Sequence, residues 1–352
     1  MQNNKLVIKL AQKKDKKKII EFINLNFKKN HILVKNDKLF KWQYQNRKIN
    51  CVIAKIRNKF VGIYLYIPLS QFDQKLLNNC HIFGSLWTIK GFQKGNISNL
   101  KKQNLVIALR LFQKTFQLLE PNLDVAVGLD SRFYRFHKSQ KYNKIKKLNH
   151  HFMVSPFIKK FMILENSLFL KFIKIKKNPI SETKFQKIKN IAQLNRININ
   201  SLFKHQLPTK SKDYLVNRYL KHPIYKYDIY AVYKNGIISL CVFRVQNYNN
   251  KNIIRFVDYV GSNNSFALLK FFFIQILKKY DAEYLDFYNF GIPLNILKKS
   301  GLIKKKPKMI IPNYFEPFVN ENVDISVGYR KYNVNGNVRI FKGDGDQDRP
   351  SI

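Results

Sequence analysis

Apolar and polar positions alternate along this chain with two periods, and the periods change over at the same landmarks twice. Lys5–Leu10 reads as a short strand, and Asp15–Phe27 as a helix with Ile19, Ile20, Ile23 and Phe27 on one side. Leu39-Phe40-Lys41-Trp42-Gln43-Tyr44 leads into Cys51–Ile56, a basic turn at Arg57-Asn58-Lys59, and Val61–Ile67, which together form a hairpin pattern. His81–Ile89 is a further strand. A loop with Gly91 and Gly95 follows, then a helix from about Asn99 to Leu119 whose Leu105, Ala108, Leu109, Phe112, Phe116 and Leu119 recur at helical spacing. Asp124–Leu129, Ser131–Tyr142 and His151–Pro156 read as strand, short helix and strand.

From Asp213 the order starts again. Tyr214–Tyr219 stands where Leu39–Tyr44 stood, Tyr225–Tyr233 is the next strand, and Asn235-Gly236 is a tight-hairpin dipeptide before Ile237–Val245. Ile253–Val260, a helix over Ser265–Tyr280, strand Glu283–Tyr288, short helix Pro293–Ser300 and strand Lys308–Ile311 complete it. Phe266, Leu269, Phe273, Leu277 and Tyr280 form the stripe of the long helix, and Gly128 and Gly291 close the same strand in each half. Tyr44 to Gly62 spans 18 positions and Tyr219 to Gly236 spans 17, so the pattern reads as an internal duplication. The division expected is a first module over residues 1–156, a helical connector over 157–212, a second module over 213–312 and an extension over 313–352. The connector rests on lysine-rich helical patterns around Phe161–Lys176 and Thr183–Ala192, and the extension holds one more hairpin through Ile325–Tyr329 and Val338–Phe341.

Composition supports packed α/β modules: 352 residues, 45% apolar and 14% aromatic, leave no room for wholesale disorder. The net charge of +44 points at first to nucleic acid or an anionic membrane surface. Only 12 of the 65 basic residues are Arg, however, and the lysines are strewn without a basic block. Much of the charge is then compositional, which leaves a polyanionic partner open and gives weak attraction to acidic lipid headgroups at low salt. Cys51, Cys80 and Cys241 are odd in number and far apart, as expected of free thiols in a reducing compartment. His150 and His151 would face opposite ways on a strand and are poor joint metal ligands. Lysines break the first 20 residues, so no signal peptide is expected; Phe266–Leu277 is too short to span a membrane, and a cytoplasmic protein is expected.

In this lysine-rich chain the segment Gly343-Asp344-Gly345-Asp346-Gln347-Asp348-Arg349-Pro350 stands out. If it is extended, its three carboxylates point to one side. They form either the acidic wall of a site or a cap paired internally, with Arg349 as the nearest cation. Asp-x-Asp-x-Asp also opens a calcium loop, but the glycine at its sixth position and the distal glutamate are missing, so no metal is expected.

A mixed sheet of hairpin, strand, long helix, strand, short helix and strand resembles the GNAT superfamily of acyltransferases. Two such modules resemble the double-GNAT arrangement of Fem-type transferases and of acyltransferases encoded with surface-polysaccharide enzymes. Trp42-Gln43-Tyr44, Ile311-Pro312-Asn313-Tyr314-Phe315-Glu316-Pro317-Phe318 and Gly343–Pro350 look most like the polysaccharide-associated group. The resemblance implies two tandem GNAT-like mixed-sheet domains and an acyl-coenzyme A thioester lying against the fourth strand where it splays from the fifth. Backbone N–H groups there would hold the oxyanion. The cofactor pyrophosphate would sit on the loop before the long helix, here Lys90, Gly91, Lys94 and Gly95. That loop departs from the superfamily's Gln/Arg-x-x-Gly-x-Gly/Ala, and its counterpart Gly261-Ser262-Asn263-Asn264 departs further.

Acyl transfer to an amine needs a group that takes a proton from the ammonium, and a carboxylate both accepts it and attracts the cation. Asp344, Asp346 and Asp348 are the first candidates, then Glu316, then Asp258 and Asp286. Trp42, Tyr44, Tyr219, Asn313, Tyr314 and Arg349 are candidates for holding an amino-sugar substrate, against the plain alternative that such aromatics, Tyr227 included, are core. The function expected is N-acylation of a nucleotide- or lipid-linked amino sugar for surface polysaccharide. The rivals are a Fem-type transferase that uses aminoacyl-tRNA and a non-catalytic binder of anionic glycan or nucleic acid.

Overall fold

In the computed structural model, which describes residues 5–92, 102–142, 145–172, 183–204, 206–332 and 334–348, the first hairpin forms where the basic turn was expected. Arg57 and Asn58 both take the left-handed conformation, at φ 48° and 61°, that a two-residue turn needs to match strand twist. Asn235 does the same in the second hairpin, at φ 51°. The chain forms two compact units: Met1–Ile145 with Gly328–Val334 and Arg349–Ile352, and Lys146–Val327 with Asn335–Asp348.

The first unit contains β1 (Val7–Leu10), α1 (Lys16–Asn26), α2 (Asp37–Tyr44), β2 (Cys51–Ile56), β3 (Lys59–Pro68), β4 (His81–Ile89), α3 (Lys102–Leu119), β5 (Leu123–Val127) and α4 (Tyr134–Ser139). β1 to β4 pair antiparallel in order, and β5 runs parallel to β4 because α3 carries the chain back between them. Leu111 and Phe112 of α3 pack on Val52, Ala54, Tyr64 and Tyr66 of the sheet. Leu39–Tyr44, read only as a lead into the hairpin, is the helix α2. The Asn36 side chain accepts the Leu39 N–H at its start, and Leu39, Phe40 and Tyr44 are buried.

The second unit contains β6 (Asn149–Val154), β7 (Lys184–Ile188), β8 (Asp228–Tyr233), β9 (Ile237–Tyr248), β10 (Lys251–Gly261), α5 (Asn263–Ala267), α6 (Lys270–Lys279), β11 (Ala282–Phe290), α7 (Leu294–Lys299) and β12 (Ile303–Lys304). The sheet order is β12-β6-β11-β10-β9-β8-β7, with β10 and β11 parallel on either side of the α5–α6 crossover. Phe272, Phe273, Ile276 and Leu277 of α6 pack on Phe256, Phe287 and neighbours on one sheet face. On the other face Phe152, Val154, Ile253 and Tyr284 are covered by Ile158, Phe161, Met309 and Ile311.

Four expected elements differ. The strand expected to close the first module, now β6, sits between β12 and β11. It is buried on both faces from His150 to Val154, as an interior strand is, and its residues do not name the sheet that takes it. The helical pattern over Thr183–Ala192 is the edge strand β7, whose burial alternates and which stands at the end of the sheet order beside β8, with Lys187 paired to Asp228 of that strand. Lys308–Ile311 is no strand; its backbone is held by Asn322, which accepts the Ile311 N–H at 3.1 Å and donates to the Met309 carbonyl at 2.7 Å. The hairpin expected at 325–341 is two separate strands. β13 (Ser326–Lys331) joins the first unit's sheet beside β5 through its residues from Gly328, and β14 (Ile340–Phe341) pairs with β11. No described helix is long and apolar enough to cross a membrane.

The first unit is tied across its sheet by a buried ion pair. Arg330 donates to Asp124 Oδ2 at 2.9 and 3.2 Å, Tyr142 donates to the same oxygen at 2.5 Å, and the guanidinium lies 3.8 Å from the Phe116 ring centre. Burial pushes the Asp124 carboxyl up despite Arg330, so the pair is a place where one missing partner is costly. Arg330→Met is expected to lower stability by about 3–5 kcal/mol in urea melts, with the Arg330→Met, Asp124→Leu double variant recovering much of the loss. A single-variant loss below about 1 kcal/mol would show that the pair contributes no more than a surface bridge.

Candidate functional site

Both units share one backbone irregularity at the same place. In the first, parallel pairing of β4 with β5 ends at Gly84–Ala126, and the next residues of β4, Ser85 and Leu86, bulge opposite the single Leu65 of β3. In the second, pairing of β10 with β11 ends at Phe256–Phe287, and the next residue, Val257, is the extra one opposite β9. A bulge bends its strand and raises local twist, so each fourth strand turns away from the fifth just past the last shared pair. The result is a V whose arms carry backbone N–H and C=O groups no longer paired to each other. Gly128 and Gly291, at φ 77° and 96°, end the fifth strand of each V.

In the second unit residues 339–348 lie in and beside that V. β14 pairs antiparallel with the outer end of β11 through Asn289–Phe341 and Phe290–Ile340, and the Gly343 N–H reaches the carbonyl of the bulge residue Val257 at 2.8 Å. Beyond it the chain turns, with Gly345 at φ 65°, so the acidic segment is not extended and its carboxylates part company. Asp344 meets Lys210 at 2.8 Å, and Lys210 also meets Asp258 at 2.6 Å. Asp348 takes Arg244 on both oxygens, at 2.7 and 3.1 Å, with the Tyr227 hydroxyl at 2.7 Å. Arg218 donates to the carbonyls of Gly343 and Gly345 at 3.0 and 2.5 Å. Asp346, also buried, accepts from Gln347.

These partners stand on the sheet face turned away from α6. Cross-strand pairing puts His150, Asp286, Arg255 and Arg244 on that face, and the bulge brings Asp258 round to it. His150 Nε2 lies 3.0 Å from Asp286, and Arg255 donates to the Asn313 carbonyl at 2.9 Å. Lys342 donates to the same carbonyl at 3.0 Å. Burial, joined by Arg255, pushes the Lys342 amine well down. Burial pushes Asp348 up, but Arg244 and Lys342 outweigh it and hold the carboxyl below its usual range. At Lys210 burial pushes down, and Asp258 and Asp344 together outweigh it. One ammonium cannot fully compensate two carboxylates. Asp258 has the Tyr219 hydroxyl and the Tyr259 N–H as well, Asp344 the Phe341 N–H at 2.9 Å alone, and burial raises the Asp344 carboxyl to about 6 against Lys210.

The other candidates divide by burial. Tyr219 is core, packed on Tyr227 with its hydroxyl on Asp258 at 2.7 Å, and Asn313 is buried with its amide on Tyr288 and the Val323 carbonyl. Tyr44 is also core, bonded to Ser85 of the first unit's bulge at 2.5 Å, while Trp42 is half-buried against Phe72. Tyr314 and Glu316 are half-exposed, and Glu316 accepts from Tyr225, whose ring lies 3.9 Å under the Arg244 guanidinium. Lys90 is exposed at the end of β4, and the Gly91 N–H is held by Asn26 at 3.0 Å. Lys94, Gly95 and Arg349 lie outside the described residues. Sequence reasoning missed Lys210, Arg218, Arg244, Arg255 and Lys342. The available signal was a charge set inside an apolar strand, as Arg255 is between Ile254 and Phe256.

No protein-family model matches the chain, and none of the curated proteins does. Solved structures share its fold at low identity. A candidate acetyltransferase from Pyrococcus horikoshii superposes with a TM-score of 0.50 at 10% identity, over 99% of this chain and 97% of that one. A GCN5-related N-acetyltransferase from Anabaena variabilis ATCC 29413 gives 0.51 at 10%, over 93% and 73%. A conserved protein of unknown function from Enterococcus faecalis V583, named as a candidate N-acyltransferase, gives 0.54 at 9%, over 93% and 72%. The chain therefore has the mixed α/β fold of the GNAT N-acetyltransferases along nearly its whole length.

The two buried carboxylates give opposite pH signatures. Asp344 titrates higher folded than unfolded, so its contribution is full below about pH 4 and is lost as pH rises through about 6. Asp348 titrates lower folded, so its contribution is present above the unfolded value and is lost as pH falls. Asp344→Asn is therefore expected to flatten the fall in stability between pH 4 and 6 in urea melts at stepped pH. Asp348→Asn, which strands Arg244, is expected to cost about 3–5 kcal/mol at pH 7. An unchanged pH 4–6 slope in Asp344→Asn would sink the assignment.

Proposed function

We propose that the protein is an acyltransferase that moves an acyl group from a coenzyme A thioester to the amino group of a nucleotide- or lipid-linked sugar. The observation that carries this is the V between a bulged fourth strand and a parallel fifth, built at Gly84–Ala126 and again at Phe256–Phe287 in a chain with the N-acetyltransferase fold. Diverging strands present backbone amides to a guest, and amides aimed at the carbonyl of a thioester stabilise the oxyanion that forms on attack. The neutral amine attacks the thioester carbon, the C–N bond forms, the C–S bond breaks and the thiol leaves with a proton.

The ammonium must first lose a proton. Of the four carboxylates ranked highest from sequence, the three aspartates are buried, with Asp344 and Asp348 in ion pairs, and Glu316 alone is half-exposed. We assign the proton-accepting role to Glu316 and an anchoring role to Asp344 and Asp348. Tyr314, two residues away and half-exposed, supplies an aromatic edge of the kind that packs on a sugar face. A role in surface polysaccharide fits such an acceptor. The expectation of a cytoplasmic enzyme fits the free state of Cys51, Cys80 and Cys241.

A second reading, in which aminoacyl-tRNA supplies the acyl group, is favoured by a groove along β1 and β2 lined by Lys5, Lys9, Lys55 and Arg57. Purified protein is expected to release free thiol from acyl-coenzyme A when amino sugars are added. Glu316→Gln is expected to lower kcat/KM about 100-fold or more with the melting temperature unchanged. Absence of thiol release and of any thermal shift with coenzyme A, joined to salt-sensitive retention of tRNA, would decide for the second reading.

A further inference from the structure

One oxygen of the Glu316 carboxylate is held by a tyrosine, and we infer that Tyr225 is the positioning residue for Glu316, fixing Oε2 so that Oε1 meets the acceptor ammonium. This rests on the acyltransferase reading above, with Glu316 as its proton acceptor, and names the group that aims that carboxylate.

Glu316 stands at the tip of a hairpin in the second unit, where Tyr314–Phe315 pairs antiparallel with Phe318–Val319. The hairpin's backbone is seated on the sheet. Arg255 donates to the Asn313 carbonyl at 2.9 Å, and the Phe318 ring stacks on Tyr248 of β9 with centres 3.6 Å apart. Side-chain placement is a separate matter, because a half-exposed glutamate spreads its carboxylate over several rotamers. The Tyr225 hydroxyl removes that freedom by donating to Oε2 at 2.7 Å, the length of a charge-assisted bond. Among the described residues Oε1 accepts no hydrogen bond. One oxygen is fixed and the other is left for the amine.

Tyr225 can aim another group because its own ring is clamped. The Arg244 guanidinium lies 3.9 Å from the ring centre, and the His222 ring runs nearly parallel, at 13° with centres 5.4 Å apart. His222 Nδ1 also accepts the Tyr225 N–H at 2.9 Å, which ties backbone and ring to one neighbour. Arg244 is fixed in turn by both oxygens of Asp348, at 2.7 and 3.1 Å. A cation over a phenol draws charge from the ring and strengthens the O–H as a donor. Burial pushes the phenol up, so it keeps its proton. Through Arg244 and Tyr225 the buried acidic segment bears on the reaction without touching the substrate. The step served is one proton transfer: an ammonium N–H bond breaks, the Oε1–H bond forms, and the electron pair stays on nitrogen for attack on the thioester carbon. Tyr225 keeps its own proton throughout.

A double-variant cycle on the full chain tests the assignment. Acetyl- and long-chain acyl-coenzyme A are offered with free, UDP-linked and lipid-linked amino sugars. Thiol release is then followed for the pair that the unaltered protein turns over fastest. Tyr225→Phe keeps the clamped ring and removes the hydroxyl. It is expected to lower kcat about tenfold, with KM within about twofold and the melting temperature within about 4 °C. Adding it to Glu316→Gln is expected to cost less than about twofold more, because residues that act as one unit do not add. Unchanged kcat in Tyr225→Phe, or the same loss in both backgrounds, overturns the positioning role and leaves the acyltransferase reading intact. Full activity of Glu316→Gln removes the proton acceptor and the positioning role together, while acyl transfer stands. No thiol release from the unaltered protein overturns all three.

Discussion

Charges taken out of water must find partners, and that requirement organises the second unit. Its sheet carries Asp258, Arg255, Asp286 and Arg244 on one face at or near zero exposure, in strands otherwise built of Ile, Val, Phe and Tyr. Left bare, each would cost several kcal/mol. The segment 335–348 and Lys210 supply what the face lacks: Asp348 for Arg244, Lys210 for Asp258, Asp344 for the rest of Lys210. Arg255 and Lys342 share the Asn313 carbonyl, which ties the loop after Ile311 to the same belt. An acidic packet in a chain of net charge +44 thus has a structural cause: it is the counter-charge of a buried basic face.

The belt also accounts for how the backbone of the V is satisfied. Diverging strands strand N–H and C=O groups, and buried ones do not stay unpaired. A peptide segment is the natural filler because it offers both kinds of group at strand spacing. The energetic demands of the charges and of the backbone are therefore met by one stretch of chain, which enters as β14, bonds Val257 through Gly343 and ends on Arg244. Only glycine fits at 343, so the sequence of the filler is constrained at its closest approach.

Much of this was legible before any coordinates. The hairpins at Arg57-Asn58 and Asn235-Gly236, the two crossover helices and the glycines after the fifth strands follow from local rules, and local rules held. What was not legible was partnership. β6 is an interior strand by pattern, but nothing in Asn149–Val154 says which sheet takes it. The alternation in Asp344-Gly345-Asp346-Gln347-Asp348 suggested three carboxylates on one side of an extended segment. The two glycines instead allow a turn, and the aspartates separate to Lys210 and Arg244, 134 and 104 positions earlier in the chain. Long-range ion pairs leave only an indirect trace, a lone charge within an apolar run, and Arg255 and Asp258 carried it.

The basic residues themselves sort by chemistry. Twelve of 65 are Arg, yet among the described residues five Arg are buried (Arg218, Arg244, Arg255, Arg330 and Arg339) against two Lys. A guanidinium keeps its charge at any accessible pH and satisfies several acceptors at once in a fixed plane, as Arg244 does on Asp348 and Arg218 does on two carbonyls. A lysine in the same place either needs two carboxylates, as Lys210 has, or is pushed toward its neutral form, as Lys342 is. In a chain where lysine is the common cation, the interior therefore holds the uncommon one. The great charge excess belongs to the surface and says little about the chemistry inside, which rests on a few arginines and the carboxylates that face them.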